Sequence, residues 1–239
     1  MKKYSLFENI FESLKENKIP RVDLHVHTNW TDGNASVEEM HKEACKKSLT
    51  HIFFSEHSRK KSGIWFSDFI QEVNLLPKNN CEAIGGTEVK VLNLNGDLDL
   101  NEDFHEKCEL IMGSVHRFPG ETSSDFKKKN GYTKEQVIKT EFELMMSVLE
   151  NPRLDILGHP FGMSIKRFNI YPEEKFFDEI IKKCEKKDKV FEINYRYHKN
   201  LKSLVDKCIK YNSRISLGSN AHSKNELGKI TEGINNEKN

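Results

Sequence analysis

Residues 22–33 read "VDLHVHTNWTDG", in which Asp23, His25 and His27 occupy alternating positions and Asp32 follows shortly after. Side chains two residues apart on a strand point to the same face, so His25 and His27 are predicted to lie side by side. Two imidazoles and a carboxylate are costly to bury together unless a cation gathers them. The segment therefore predicts a strand that supplies part of a metal site.

On both sides of this segment the chain alternates between short apolar runs and longer helical patterns. The predicted strands span residues 22–28, 51–57, 81–92, 109–116, 154–160, 190–197 and 214–222. The predicted helices span residues 36–48, 64–76, 133–150, 172–187 and 201–211, after a first amphipathic helix within residues 1–19. This alternation is typical of an α/β fold with a parallel sheet, and seven strands fit a closed or nearly closed barrel better than two domains.

Local signals mark the beginning of several helices. Three capping-box patterns, each a Ser or Thr followed three residues later by Glu or Gln, are Ser5–Glu8, Ser36–Glu39 and Thr133–Gln136. Pro172 occupies the predicted first position of another helix. The polar stretch 118–131 is a candidate lid, and the tail 229–239 is predicted to be flexible because it has little apolar content. Without a linker or a composition shift, one domain over residues 1–239 is expected.

Composition narrows the class of protein. The chain carries 38 Lys and Arg against 37 Asp and Glu, a net charge of +1, which argues against a basic face for duplex nucleic acid. The five cysteines are widely spaced and form no C-x-x-C pair, so we expect reduced thiols and neither disulfides nor a thiolate zinc site. No signal peptide or membrane span is predicted, and a cytoplasmic protein is expected.

Polar residues concentrate at the carboxyl ends of the predicted strands. The histidines among them are His25, His27, His57, His116, His159 and His222. The other candidates are Glu88, Glu192, Asn194 and Asn220. In a parallel β/α barrel these ends meet at one rim, where active sites form. Imidazoles and carboxylates without thiolates suit zinc, manganese or iron, and so many ligands predict two or three ions.

These motifs resemble, in order, those of the PHP (polymerase and histidinol phosphatase) family. The matching segments are "DLHVHTNWTDG" from residue 23, "SEH" ending at His57, "GTE" ending at Glu88, "GSVH" ending at His116, "GHP" around His159 and "SNAH" ending at His222. The resemblance covers about residues 20–225. It implies a distorted (β/α)7 barrel with its active site at the C-terminal rim, and hydrolysis of a phosphomonoester by a metal-bridged hydroxide.

The resemblance also implies three divalent ions (Zn²⁺, Mn²⁺ or Fe²⁺). Carried over by position, the first would be held by His25, His27, Glu88 and Asn220. The second would be held by Glu88, His116 and His159, and the third by Asp32, His57 and His222. Asp23 matches the leading aspartate of the first motif, and we expect it to accept a hydrogen bond from a liganding imidazole and fix its tautomer.

Asn220 departs from the family pattern, in which the last motif usually reads D-A-H. An amide oxygen can coordinate a cation but carries no formal charge. The loaded site is therefore expected to be about one unit more positive than with aspartate, with weaker binding of the first ion. Reversion of Asn220 to aspartate is expected to raise activity.

Other side chains are assigned to the phosphate and the leaving group. Arg117 and Arg196 are predicted to bind phosphate, because the guanidinium fork matches two of its oxygens, and Arg167 is a weaker candidate. Asp32 and His222 are candidates for donating a proton to the leaving oxygen. Glu192 and Asn194 are expected to line the pocket. Structural or exposed positions are expected for the remaining histidines, His41, His51, His105 and His198.

The preferred interpretation is a metal-dependent phosphatase that acts on a small phosphorylated metabolite resembling histidinol phosphate. A nuclease or nucleotide phosphodiesterase on the same site is the alternative, disfavoured by the balanced charge and short loops. A carboxyl-ester or amide hydrolase would use the same water. A non-enzymatic alternative is a metal-binding protein in which Asn220 has weakened catalysis. The sequence predicts no membrane partner and leaves the oligomeric state open.

Overall fold

The protein is described by a computed structural model that covers residues 4–78, 80–122 and 131–237. The strands are β1 (Val22–Val26), β2 (His51–His57), β3 (Glu82–Lys90), β4 (Leu110–Ser114), β5 (Ile156–Leu157), β6 (Val190–Asn194) and β7 (Ile215–Gly218). The helices are α1 (Ser5–Lys15), α2 (Val37–Lys46), α3 (Trp65–Asn74), α4 (Glu102–His105), α5 (Lys134–Val148), α6 (Glu174–Lys186), α7 (Leu201–Lys210) and α8 (Lys229–Asn236).

The seven strands form one parallel sheet in the order β1 to β7, each paired with the next along the chain. The segment after β7 returns to β1, where the amide of His27 donates to the Ala221 carbonyl at 2.8 Å. The amide of Ala221 donates in turn to the His25 carbonyl at 3.1 Å. These bonds nearly close the barrel, and the predicted seven-stranded parallel β/α barrel is confirmed.

The helices cover the barrel through apolar faces. Helix α1 packs against β7 and α7. The apolar residues on its inner face are all buried, namely Leu6, Phe7, Ile10, Phe11 and Leu14. The capping boxes of α2 and α5 form both of their reciprocal hydrogen bonds, as predicted. Each box satisfies two amide groups that the first helical turn leaves without a partner.

Two predicted helix starts are wrong. Helix α1 begins at Ser5, with Tyr4 at the N-cap and no side-chain cap, so Ser5 does not form the predicted box with Glu8. Helix α6 begins at Glu174 with Glu173 at the N-cap, two residues after Pro172. In both cases the sequence pattern is compatible with a helix start, but the observed helix begins one or two residues from the predicted position.

The predicted flexible tail is also wrong over the residues that the structure describes. Helix α8 buries Ile230 and Ile234, and Glu237 accepts hydrogen bonds from the amides of Leu201 and Lys202 at 2.9 and 2.8 Å. Two apolar residues four apart are enough to anchor a short helix on an existing barrel. The candidate lid lies largely in residues 123–130, outside the described residues.

A π-helical turn, Met163–Arg167, follows β5 and was not predicted. Glu141, buried on α5, accepts hydrogen bonds from the amides of Met163 and Ser164 at 2.8 and 2.6 Å, and from the Ser164 hydroxyl at 2.5 Å. This carboxylate therefore holds the segment just after His159 against the body of the barrel.

Replacing Glu141 with alanine is expected to destabilise the chain by about 3 kcal/mol, because it leaves two buried amides without an acceptor and opens a cavity. Chemical denaturation measures the loss. Glu143→Ala, on the same helix at an exposed ion pair with Lys139, is the control and should change stability by less than about 0.5 kcal/mol. Equal effects of the two substitutions would show that Glu141 does not anchor the π-helical turn.

Candidate metal centre

The barrel brings the predicted site residues to one rim. His25 and Glu88 lie within β1 and β3, and His57 is the last residue of β2. His116, His159 and His222 follow the ends of β4, β5 and β7 by two to four residues. Their side chains form three mutually adjacent groups of possible metal ligands.

Glu88 lies at the centre of the first group. Its Oε2 is 3.3 Å from Nε2 of His25 and 3.5 Å from Nε2 of His27, and the two imidazole nitrogens are 3.1 Å apart. Ligand atoms around a tetrahedral zinc ion, with bonds of about 2.0–2.1 Å, are separated by about 3.3 Å. The spacing of these three atoms therefore suits a single divalent ion.

The second group uses the other oxygen of the same carboxylate. Oε1 of Glu88 is 3.1 Å from Nε2 of His116 and 2.9 Å from Nε2 of His159. Burial alone would raise the pKa of Glu88, but His116, His25 and His57 hold it well below its usual value. Glu88 thus presents an ionised carboxylate with one oxygen toward each group.

The third group lies toward the open side of the rim. Oδ2 of Asp32 is 3.3 Å from Nε2 of His222 and 3.5 Å from Nε2 of His57, and Oδ1 is 4.0 Å from Nδ1 of His27. Nδ1 of His222 lies 3.0 Å from the carbonyl oxygen of Asn220. A hydrogen bond from Nδ1 to that oxygen would leave Nε2 of His222 available to a cation beside Asp32.

Two buried atoms test whether these groups fit metal ions. Nδ1 of His27 and Oδ1 of Asn220 have no hydrogen-bond partner among the described residues. Such atoms destabilise a fold unless a ligand or water satisfies them. The amide oxygen is an electron-pair donor, and the neutral His27 imidazole offers one nitrogen as such a donor to the same cluster, which favours a cation. The residues present therefore fit a cluster of divalent ions.

Asp23 does not play the predicted part. Its carboxylate accepts from the amides of Ser219 and Gly228 at 2.8 and 2.7 Å, and so holds the chain after β7. Burial raises the pKa of Asp23 to about 6, although these hydrogen bonds lower it. Asp23 lies on the inward face of its strand, but its carboxylate is hydrogen-bonded to two backbone amides instead of an imidazole.

Glu192 lies beside His25 instead. Its Oε1 is 2.8 Å from Nδ1 of His25 and accepts from the side-chain amide of Asn194 at 2.8 Å, and its Oε2 accepts from the amide of His159 at 2.5 Å. Burial would lower the pKa of His25, but Glu192 and Glu88 raise it to about 10. Donation from Nδ1 to Glu192 fixes the tautomer in which Nε2 is free to bind a cation.

Gly218 at the end of β7 makes room for this pair. A Cβ at position 218 would lie 2.2 Å from Oε1 of Glu192 and 2.6 Å from Cβ of His25. Any larger residue would displace one of the two side chains.

Replacing Glu192 with glutamine is expected to weaken metal binding and turnover about tenfold, because the neutral amide holds His25 less well and removes a buried charge. Metal affinity and initial rates measure the loss. Glu185→Gln, an exposed position on α6, is the control and should leave both unchanged. Wild-type metal affinity in the Glu192 variant would contradict its role in orienting His25.

Two residues at the site were not predicted. Glu56, buried before His57, accepts from the Thr28 amide at 2.6 Å and from the Thr31 hydroxyl, and so fixes the loop that carries Asp32. Tyr197 stacks on His159 with ring centroids 4.3 Å apart. An acidic residue inside the apolar run "FFSEH" was an available signal for Glu56, whereas nothing in the sequence singles out Tyr197.

The predicted arginines differ in position. Nη1 of Arg196 lies 3.3 Å from Nδ1 of His222 and 3.5 Å from the Asn220 carbonyl, which places its guanidinium at the rim. Arg117 directly follows His116 and is half-buried. Arg167 makes a buried bidentate ion pair with Glu121 at 2.7 and 2.8 Å.

The remaining histidines lie outside the three groups. His198 is buried, with Nδ1 accepting from the Asn194 amide at 3.0 Å and Nε2 2.9 Å from the Pro160 carbonyl. His41 is buried with Nε2 2.9 Å from the Cys81 carbonyl. His51 lies at the start of β2, 3.6 Å from Glu82. The side chain of His105 lies outside the described residues.

Comparison with known proteins identifies a family whose model matches most of the chain. A family model described as the PHP domain matches residues 23–196. A "probable phosphatase" of Thermoanaerobacter sp. (strain X514) is 25% identical over 225 residues, which covers 89% of this chain and 83% of that protein. The DNA polymerase/3'-5' exonuclease PolX of Bacillus subtilis (strain 168) is 27% identical over 180 residues, 72% of this chain and 28% of that protein.

Among solved structures, histidinol phosphate phosphatase from Lactococcus lactis, crystallised with zinc, L-histidinol and phosphate, is similar in fold. The TM-score is 0.66 at 18% identity, over 90% of this chain and 91% of that chain. Within the described residues, none of the helices has the length and apolar character needed to cross a membrane.

Proposed function

Because the chain belongs to the PHP domain family, we propose that it is a metal-dependent phosphatase that hydrolyses a phosphomonoester of a small metabolite. The supporting observation is the arrangement around Glu88, whose two oxygens face separate groups of imidazole nitrogens within 3.5 Å. A carboxylate placed in this way suits two adjacent cations, the pattern used for phosphoryl-transfer chemistry.

We assign three divalent ions, Zn²⁺, Mn²⁺ or Fe²⁺, to the three groups. The first is held by His25, His27, Glu88 and Asn220, the second by Glu88, His116 and His159, and the third by Asp32, His57 and His222. When bound, such ions lower the pKa of water toward neutrality and offset the charge that develops on phosphate oxygens.

The protein's own residues bind the phosphate and handle the leaving group in this proposal. Arg196 at the rim, with Arg117 beside His116, supplies guanidinium donors for phosphate oxygens. Asp32 and His222 lie at the open edge and are assigned the water molecule that would give its proton to the leaving oxygen, since a metal-bound carboxylate and imidazole have none to give. Glu192 and Glu56 hold the His25 imidazole and the Asp32 loop in place without contact with substrate.

The organic part of the substrate is assigned to a cavity beside Arg196. This cavity of about 380 Å³ is lined by the cationic side chains of Lys166, Arg196 and Lys199, with Tyr171, Tyr195 and Tyr197 among the rest. No carboxylate of the described residues lines it. The lining favours an organic part with hydroxyl or anionic substituents over one with a free amine, such as histidinol.

Replacing Arg196 with alanine is expected to raise KM for a phosphomonoester about tenfold with a smaller change in kcat, because a charge-assisted contact to phosphate is lost. Steady-state kinetics measure the two constants separately. Arg153→Ala, at an ion pair with Glu102 away from the rim, is the control. An unchanged KM in the Arg196 variant would remove it from the phosphate site.

Metal removal and reloading test the function. The full chain is stripped with a chelator and reloaded with Zn²⁺, Mn²⁺ or Fe²⁺. Hydrolysis is then followed on phosphomonoesters with anionic, neutral and amine-bearing organic parts, on a phosphodiester, and on single-stranded DNA. We expect metal-dependent release of phosphate from monoesters. Faster cleavage of the phosphodiester or DNA would favour the nuclease alternative, and metal-loaded protein without any turnover would contradict the phosphatase assignment.

A further inference from the structure

A fourth group of possible metal ligands lies at the end of the barrel opposite the rim. His41 and Cys45 are four residues apart and share one face of α2, and Cys81 directly precedes β3. One ligand atom from each lies within 4.8 Å of the other two. His41 and Cys81 are buried, while Cys45 is half-buried.

The spacing of these atoms suits a tetrahedral metal site. Sγ of Cys45 is 3.9 Å from Nε2 of His41, and the thiols of Cys45 and Cys81 are within hydrogen-bonding distance. Zinc bonds of about 2.3 Å to sulfur and 2.0–2.1 Å to nitrogen require separations of roughly 3.6 to 3.8 Å. The 3.9 Å between Sγ of Cys45 and Nε2 of His41 is within a few tenths of an ångström of this range, and all three ligand atoms lie within 4.8 Å of one another.

Against the expectation from the cysteine spacing, we propose that His41, Cys45 and Cys81 form a second, thiolate-containing zinc site that ties α2 to the start of β3. The ligand is a borderline-soft divalent cation, for which two thiolates and an imidazole are preferred donors. The three residues leave a fourth position for water. Nε2 of His41 exchanges its hydrogen bond with the Cys81 carbonyl for the cation, and the ring proton moves through solvent to Nδ1. The two thiols release their protons to solvent as the metal binds.

This site differs chemically from the rim. Each of the rim groups consists of imidazole and carboxylate donors, whereas this group contains two sulfurs. A reactive thiol is a poorer explanation, because burial and the neighbouring Cys45 raise the pKa of Cys81 to about 12. A protonated, buried thiol is a weak nucleophile. The proposal does not depend on phosphatase activity.

Cobalt(II) is the probe that separates the two sites. Only thiolate ligands give an intense near-ultraviolet charge-transfer band with Co²⁺, so the rim cannot produce it. We expect the metal-free, reduced full chain to develop this band within four equivalents of the ion, enough for the three rim positions and this site, and Zn²⁺ to displace the cobalt. Cys81→Ser and Cys45→Ser should each lose at least about 90% of the band. Cys184→Ser and Cys108→Ser, one buried and one half-buried cysteine outside the group, should retain it.

Circular dichroism checks that each variant is folded, and the half-buried Cys45 provides a second variant if Cys81→Ser does not fold. A charge-transfer band that persists in both Cys45→Ser and Cys81→Ser would overturn the proposal. A reduced wild-type chain without the band would do so as well, as would a Cys45–Cys81 disulfide that persists under reducing conditions. Loss of rim metal or of phosphatase activity leaves the band unchanged, so failure of the proposed function is distinguishable.

Discussion

Replacing Glu88 with glutamine is expected to lower phosphatase turnover by on the order of 10³-fold, the largest effect of any single substitution considered. Its Oε2 faces the nitrogens of His25 and His27, and its Oε1 faces those of His116 and His159. Glutamine keeps the shape but turns one donor oxygen into an NH₂ group, which cannot coordinate a cation. One of the two groups therefore loses its donor oxygen, and the other keeps only a neutral amide oxygen.

Metal analysis accompanies the rate measurement. The Glu88 variant should retain at least one fewer divalent ion per chain than the wild type after equal loading and washing. Glu82→Gln, an exposed carboxylate at the start of the same strand, is the matched control and should leave rate and metal content unchanged. A Glu88 variant with full metal content and turnover within about tenfold of wild type would rule out a shared carboxylate.

The barrel was predictable because its signals are local and repeated. Each strand is a short apolar run, and α2 and α5 carry capping boxes that form as read. The tail was misread because its helix depends on docking rather than on its own composition: Ile230 and Ile234 are buried only because a barrel is already present. Likewise, whether a helix begins at Pro172 or two residues later depends on packing that the local pattern does not contain.

The positions of the site residues followed from strand order, but their pairings did not. Alternation places both Asp23 and Glu192 on inward faces without saying which carboxylate reaches His25. That choice depends on the amides of Ser219 and Gly228, which occupy Asp23, and on the space beside Gly218. Cys45 and Cys81 are 36 positions apart and carry no motif, so their proximity also emerges only from the fold.

Replacing Asn220 with aspartate is expected to tighten metal binding by up to about 100-fold, since the buried Oδ1, which has no hydrogen-bond partner in the described part of the chain, would gain a formal charge beside the rim groups. Competition with a chelator of known affinity measures the change. Asn212 and Asn220 both have a left-handed backbone conformation, and Asn212 lies at an exposed turn. Asn212→Asp is therefore the control for backbone strain. Unchanged metal affinity would show that the Asn220 side chain is not a ligand.

The same substitution is expected to weaken phosphate binding, which reverses part of the gain in activity expected from the sequence. Among the residues predicted from the sequence to hold the ions, only Glu88 and Asp32 carry a negative charge. The structure adds the buried carboxylate of Glu192, which lies 2.8 Å from His25. With this third negative charge, three divalent ions and one hydroxide leave the site at about +2 with Asn220 and about +1 with aspartate before phosphate binds, so aspartate would weaken the attraction for a phosphate dianion. Inhibition by inorganic phosphate should therefore weaken in the aspartate variant, while equal or stronger inhibition would contradict this charge argument.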